Sequence, residues 1–254
     1  MNSAANGGDS APLKGQKHLY QQPELLTNEA HGDLGFIKAE RPFDFVADTI
    51  AVPVTTPEFG QAQKDFPIVF SEMENPIALA IMGIPDGKNL FVTGSGGWDS
   101  NSYLPGYMRC HPFALAPQGD KVAVVVDVLA KCVSKSPEHP FFVDGKPSPQ
   151  TEELINFCGQ FESARHRTVE YCKRLKELDL LSPQRTSRNP DTDKEETIAD
   201  FVGIDVRKLE KLDDAVVLEL YKSGILQLVY LQLNSLDNWR KLIARSERRA
   251  AETA

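Results

Sequence analysis

An α+β fold, with a mixed and largely antiparallel sheet packed by a long amphipathic helix and a C-terminal helical pair, follows from three features of this 254-residue chain. Between residues 43 and 147 short apolar runs are punctuated by Pro and Gly, which is how strands and their turns read. From Ser148 onward the apolar residues recur at steps of three and four, the period of a helix face. The composition, 41% apolar and 25% charged, is that of a globular chain long enough to bury a core.

In chain order, residues 1–42 are rich in Gly, Asn, Gln and Ser. Their apolar residues are too scattered to offset the entropy of ordering, so a flexible tail is expected. In the β-rich part, 43–147, strands are expected at 50–54, 68–70, 77–81, 90–92, 114–116 and 122–129. Between the first two, 57–65 suits one or two helical turns, with Pro57 in the first. The run 122–129 is nearly all apolar, which predicts a central strand covered on both faces. Asp86-Gly87 and Asp144-Gly145 are turn dipeptides.

The remainder, 148–254, is expected to be a helical part sharing the same core. Ser148 before Pro149 combines a capping side chain with a ring that needs no donor, a good helix start. Leu154, Phe157, Phe161, Ala164, Thr168, Tyr171, Leu175 and Leu178 then form one stripe. Arg165, Arg167, Glu170, Lys173, Arg174 and Glu177 fall off it as a solvated face. The stripe suits packing on the chain's own sheet, or a homodimer seam through 154–178. Residues 182–198 are nearly all polar and predict a mobile loop, and 201–206 one more strand. Asp213 or Asp214 then caps a helix that stops at Ser223 and Gly224. Leu226, Val229, Leu233, Leu236 and Ile243 have helical spacing, with Trp239 among them. The polar end, 244–254, is expected to fray.

The net charge of −8 weighs against a nucleic-acid or anionic-membrane binder, because both need a concentrated positive footprint. No apolar run reaches the roughly 18 residues of a membrane-spanning helix. The first residues lack the apolar stretch of a signal peptide, so a cytoplasmic location is expected unless a non-standard exporter carries the chain to the surface. Cys110, Cys132, Cys158 and Cys172 are too far apart in sequence for a C-x-x-C half-site and read as reduced, mostly buried thiols. His31 and Asp33 have the spacing of a facial-triad pair, which would need a second histidine from elsewhere; they lie in the expected tail, where a rigid site is not expected, and neither metal nor cofactor is expected.

The densest cluster of chemically capable residues is 94–113. Gly94, Gly96, Gly97 and Gly106 allow close backbone approach, and around them stand Trp98, Asp99, Tyr103, Tyr107, Arg109 and His111. The glycines match neither a dinucleotide fingerprint nor a P-loop nor a nucleophile elbow. Arg109 is a fork-shaped donor suited to an anion or a peptide. If the segment is structural instead, its aromatic residues are packing groups and Arg109 pairs with an internal carboxylate such as Asp99 or Asp127. The helix pair around Gly224 is a poor DNA reader, since 225–236 is almost wholly apolar where base-reading side chains would stand.

The order of several segments resembles the bacterial SapC family, named for a gene in a surface-layer operon. The segments are 66–70 (Phe-Pro-Ile-Val-Phe), 89–92 (Asn-Leu-Phe-Val), Gly97-Trp98, Tyr103 with Pro105, Tyr107, Arg109 and Pro112-Phe113, then 203–206 and the helices after Gly224. Cys110 and His111 stand where the family pattern has a second arginine and an aromatic residue. The resemblance covers roughly 45–245 and implies association with the surface layer and with gene neighbourhoods for outer-membrane uptake and flavin-dependent halogenase-like proteins. It brings no catalytic residues with it. The expected function is a non-enzymatic accessory protein of a surface-layer or envelope-associated system that binds a protein or peptide partner. The alternative is an enzyme or small-ligand binder whose site is the 94–113 segment.

Overall fold

The computed structural model of the chain describes residues 18–85, 87–118, 121–188 and 196–253. Its helices are α1 (Asn28–His31), α2 (Phe59–Ala62), α3 (Gly106–Cys110), α4 (Pro149–Glu177), α5 (Val206–Leu209), α6 (Asp214–Lys222), α7 (Ile225–Ser235) and α8 (Asn238–Thr253). The fold is α+β, and the strand pairings among the described residues are all antiparallel. The chain divides into two compact units, one running to Lys38 and resuming over His111–Ile155, the other made of Ala39–Cys110 and the chain from Asn156 onward. The change of period at Ser148 therefore falls inside the first unit.

In the first unit a three-stranded sheet is ordered Pro23–Leu25, Lys121–Asp127, Phe113–Gln118. Lys121–Asp127 is central, as its apolar run predicts. It is not covered along its whole length: Val125 and Val126 are buried, whereas Val122 is 63% exposed. The reason lies in the pairing, since Pro23–Leu25 reaches only Val125–Asp127 and leaves the other end without that neighbour. Phe36, Phe113 and Phe141 meet with ring centroids 4.8 to 5.7 Å apart and form the aromatic core here. Asp144 and Gly145 both have positive φ, 50° and 74°, as a tight turn between the paired Phe142–Val143 and Lys146–Pro147 requires. Ser148 caps α4, its Oγ accepting from the Thr151 N–H at 3.4 Å.

In the second unit a five-stranded sheet is ordered Leu181–Arg188, Glu196–Ile204, Ile68–Phe70, Ala78–Ile81, Ala51–Pro53. The α4 stripe from Ala164 to Leu175 is buried within this unit, with Leu175 fully covered. Tyr171 lies against Phe59 and Phe70, at centroid distances of 5.8 and 6.4 Å. Thr168 Oγ1 accepts from the Thr56 N–H at 2.8 Å and donates to the Ala164 carbonyl, so a polar residue on the apolar stripe leaves no hydroxyl unpaired. α6 ends where predicted: Gly224 has φ 78°, a left-handed conformation that glycine adopts without strain. Beyond it, Gln232 donates to the Ile68 carbonyl and Ser235 accepts the Ile68 N–H, both at 2.8 Å. Asn238 donates to the Gln63 and Phe66 carbonyls. Three polar side chains of the C-terminal helices thus satisfy main-chain groups around one buried strand.

Several expectations need correction. Residues 18–42, expected within a flexible tail, carry two strands and α1, because the backbone of Pro23–Leu25 adds to a sheet and Tyr20 donates its hydroxyl to the Phe113 carbonyl. The expected mobile loop at 182–198 is largely a hairpin of Leu181–Arg188 and Glu196–Ile204, and 189–195 lie outside the described residues. Its few apolar residues are supplemented by cross-strand ion pairs, Arg185 with Asp200 at 2.7 Å and Arg188 with Glu196 at 2.8 Å. The polar end does not fray but is the last turns of α8, tied down by the Arg245 contacts described below. Residues 90–92 make no ladder and contribute one bridge, Val92 to Trp98. Of the turn dipeptide Asp86-Gly87, Asp86 lies outside the described residues. The 164–175 part of the stripe is taken up inside its own unit, so it is no free dimer seam.

The Tyr171 hydroxyl is buried and has no hydrogen-bond partner among the described residues, and burial holds its pKa well above the usual value. Tyr171→Phe removes that unpaired group and keeps the ring, so it is expected to raise stability by about 1 kcal/mol. A lowered urea midpoint in the variant would contradict this.

Candidate functional site

Segment 94–113 is organised around two clasps. The first begins with a turn in which the Thr93 N–H donates to the Gly97 carbonyl at 2.8 Å. This sets Trp98 against Phe91, nearly parallel at 5.7 Å, and against Phe43 at 5.7 Å. The indole N–H donates to the Ser102 carbonyl at 3.1 Å, so both the apolar body and the polar tip of Trp98 are satisfied internally. Asp99 accepts from the Asn101 N–H, the Ser102 hydroxyl and Arg245 Nη1, at 3.1, 3.0 and 2.9 Å. Burial pushes its pKa up, but these three donors together hold it below the usual carboxylate value. The Arg245 guanidinium also lies 4.4 Å from the Phe91 ring centroid.

The second clasp is Glu58, a buried carboxylate that collects four donors. Its Oε2 takes the Thr55 N–H at 2.9 Å and the Thr55 hydroxyl at 2.6 Å; its Oε1 takes the Tyr103 hydroxyl at 3.0 Å and the Gly106 N–H at 2.7 Å. The Thr55–Glu58 half is a capping box at the start of the turn Thr56–Glu58. The other half pulls the loop before α3 down onto that turn. Gly106 is required there, since a Cβ would come within 2.9 Å of the Phe161 ring and 3.2 Å of Glu58 Oε1. Asp65 holds the same loop one step earlier, accepting the Tyr103 N–H at 2.8 Å. Burial, and then the Glu58 charge, raise the Tyr103 pKa, with Arg109 acting in the opposite direction.

Arg109 does not pair with Asp99 or Asp127. It is exposed on α3, with its guanidinium carbon 4.2 Å above the Phe157 ring centroid and its charge felt by Tyr103. Tyr107 stands 6.0 Å from Phe161, and burial pushes its pKa up to about 12. His111 belongs to the other unit. There it lies 3.6 Å from Asp127, a fully buried carboxylate that also accepts the N–H groups of Gln21 and Gln22 at 2.9 Å and of Leu129 at 3.3 Å. Burial pushes the Asp127 pKa up, and this is outweighed by His111 and the three backbone donors, leaving it lowered.

The six residues singled out in the sequence therefore do not form one constellation. Trp98 and Asp99 belong to the first clasp, Tyr103 to the second with Arg109 beside it, Tyr107 to the α4 side of α3, and His111 to a separate unit. Glu58, Asp65 and Arg245 were not anticipated. The first is readable as the fourth residue of Thr55-x-x-Glu58, a capping-box spacing; Arg245 lies in the polar end whose composition predicts fraying. The other chemical candidates are likewise tied up. His31 turns to Glu24 and Asp33 to Lys135, at 3.3 and 3.2 Å, so the His-x-Asp pair does not converge. Burial lifts the Cys132 and Cys172 thiols to about 11 and about 12, which keeps both protonated at neutral pH. Among the described residues no three His, Cys, Asp or Glu side chains cluster as metal ligands.

Segments 55–58 and 89–106, the greater part of both clasps, lie inside the region matched by the SapC family model, which covers residues 26–242, and Arg245 lies beyond it. The chain belongs to the SapC family. No curated protein and no solved structure matches it. The SapC match extends from α1 into α8, so it embraces both units.

Two substitutions test these clasps. In this SapC family chain Glu58→Gln sets an amide N–H₂ against donors that need an acceptor, and about 2 kcal/mol of stability should be lost in chemical denaturation. Asp127, with its folded pKa depressed, contributes stability that is present above the unfolded value near 4 and is lost as pH falls through the folded value. Acid titration followed by circular dichroism should therefore show a shallower loss of stability below about pH 4 for Asp127→Asn than for the parent chain; superimposable slopes would refute this assignment.

Proposed function

We propose that this SapC family chain is a non-enzymatic accessory protein of a surface-layer or envelope-associated system, and that it engages a polypeptide partner through α6 and α7. One observation carries the reading. Three large apolar side chains on these consecutive helices stand in solvent: Leu218, Tyr221 and Tyr230 are 51%, 70% and 52% exposed. Tyrosine is over-represented at protein interfaces because its ring supplies contact area and its hydroxyl tolerates water. Asp213 and Asp214, both exposed at the head of α6, and the net charge of −8 favour a partner segment that carries apolar anchors flanked by basic residues.

Against this, the 94–113 segment offers few groups to a substrate, since Trp98, Asp99 and Tyr103 are satisfied by internal bonds. That favours the accessory reading over an enzyme or small-ligand site centred there.

The deciding experiment is native mass spectrometry of the chain isolated from its own host, beside a Tyr221→Ser, Tyr230→Ser double variant. A stoichiometric polypeptide is expected with the parent, and about tenfold less of it with the variant at unchanged thermal stability. A chain that carries no polypeptide, or carries a small molecule in its place, refutes the proposal.

A further inference from the structure

The exposed side of α6 is patterned symmetrically. On this nine-residue helix Asp214, Leu218 and Lys222 follow one another at steps of four, which lines them up as one ridge. All three are exposed, as are Ala215 and Tyr221 on either flank, whereas Leu220 on the opposite side is fully buried. A carboxylate stands one turn before the leucine and an ammonium one turn after it. Read backwards, the ridge is its own charge complement.

Neither end is committed within the chain. Among the described residues the Asp214 carboxylate and the Lys222 ammonium have no ion pair and no hydrogen bond. Glu219, the other charge on α6, lies off the ridge and is taken by Arg174 of α4 at 2.6 Å. Asp213, exposed just before the helix, adds a second carboxylate at the Asp214 end.

We infer that the polypeptide seated on α6 is a second copy of this chain, with the two α6 helices antiparallel across a two-fold axis. This rests on the reading of α6 and α7 as an interaction surface, and it names the occupant of the α6 part. The partner segment that this surface favours has apolar anchors beside a basic residue, which is what α6 itself presents in Leu218, Tyr221 and Lys222. A two-fold contact is isologous, so every pairing is made twice. With the two Leu218 side chains at the axis, each Asp214 comes alongside the other copy's Lys222, and two opposite-charge pairs close the ends of an apolar centre. A parallel arrangement would instead set Asp214 against Asp214 and Lys222 against Lys222, where like charges repel. Helices packed along their four-residue ridges cross at about 50°, which brings the leucines closest and leaves the ends within reach of the long lysine side chain. Tyr221, 70% exposed beside the ridge, is covered in the same contact. One nine-residue helix from each copy makes less than a standard interface, so a weak dimer is expected, dissociating at about 100 μM.

The test is sedimentation equilibrium of the full chain from about 10 μM to about 1 mM at low salt. A monomer–dimer equilibrium is expected. Asp214→Lys and Lys222→Asp should each weaken it at least about tenfold, since each change sets like charges at both ends of the contact. An equimolar mixture of the two variants should dimerise again, because opposite charges then meet at both ends; a folding defect in either variant would not be rescued this way. A parent chain that stays monomeric, a dimer indifferent to both single changes, or two weakened variants that fail to pair with each other each overturns the proposal. Native mass spectrometry separates this failure from that of the underlying reading. A monomeric parent that carries a different polypeptide overturns the second copy alone, and one that neither self-associates nor carries a polypeptide overturns both.

Discussion

The carboxylate of Glu58 is the interaction on which the second unit depends. An ionised carboxylate removed from water is stable only when its lone pairs are met by donors, and Glu58 meets four from two chain segments 45 and more residues apart. By binding Thr55 it starts the turn that leads into α2. Through Tyr103 and Gly106 it fixes the loop before α3, and Gly106 in turn lies close against Phe161 of α4. Local capping and long-range closure are the work of one side chain, so neither is independent of the other.

A similar arrangement recurs at smaller scale. Asp127 in the first unit is buried and holds the chain at Gln21 and Gln22 beside its own strand, which explains how a stretch poor in apolar residues joins a sheet. Asp99 gathers its own turn and the distant Arg245. In each case a carboxylate short of water recruits backbone N–H groups or a guanidinium, and the segment that supplies them becomes ordered. The polar character of residues 18–42 and of 244–253 is thus no sign of looseness. Their polar atoms are what attaches them.

This arrangement bears on function. The aromatic and polar residues that make 94–113 look like a binding loop are the same ones that close the clasps, and a group committed to an internal bond is poorly placed to recognise a ligand. The surface with uncommitted groups lies elsewhere, in the exposed apolar side chains of α6 and α7. SapC family membership comes from a match over residues 26–242, which takes in α6 and α7.

The sequence by itself determined the α+β class, the strand at Ile68–Phe70, the central strand of the first unit, the start of α4 at Ser148 and Pro149, its buried stripe, and the stop at Gly224. Each depends on residues near one another in the chain: a period, a cap, or a glycine with positive φ. Tertiary structure alone decided that residues 18–42 carry strands and α1, that the polar stretch after α4 pairs as a hairpin, and that α8 continues to Thr253. It also decided that Arg109 stacks on Phe157 while Arg245 takes Asp99, and that His111 parts from the other five. These outcomes depend on which charge meets which donor across 15 to 146 residues of chain. Periodicity reports only that a side chain is polar, and not where its partner waits.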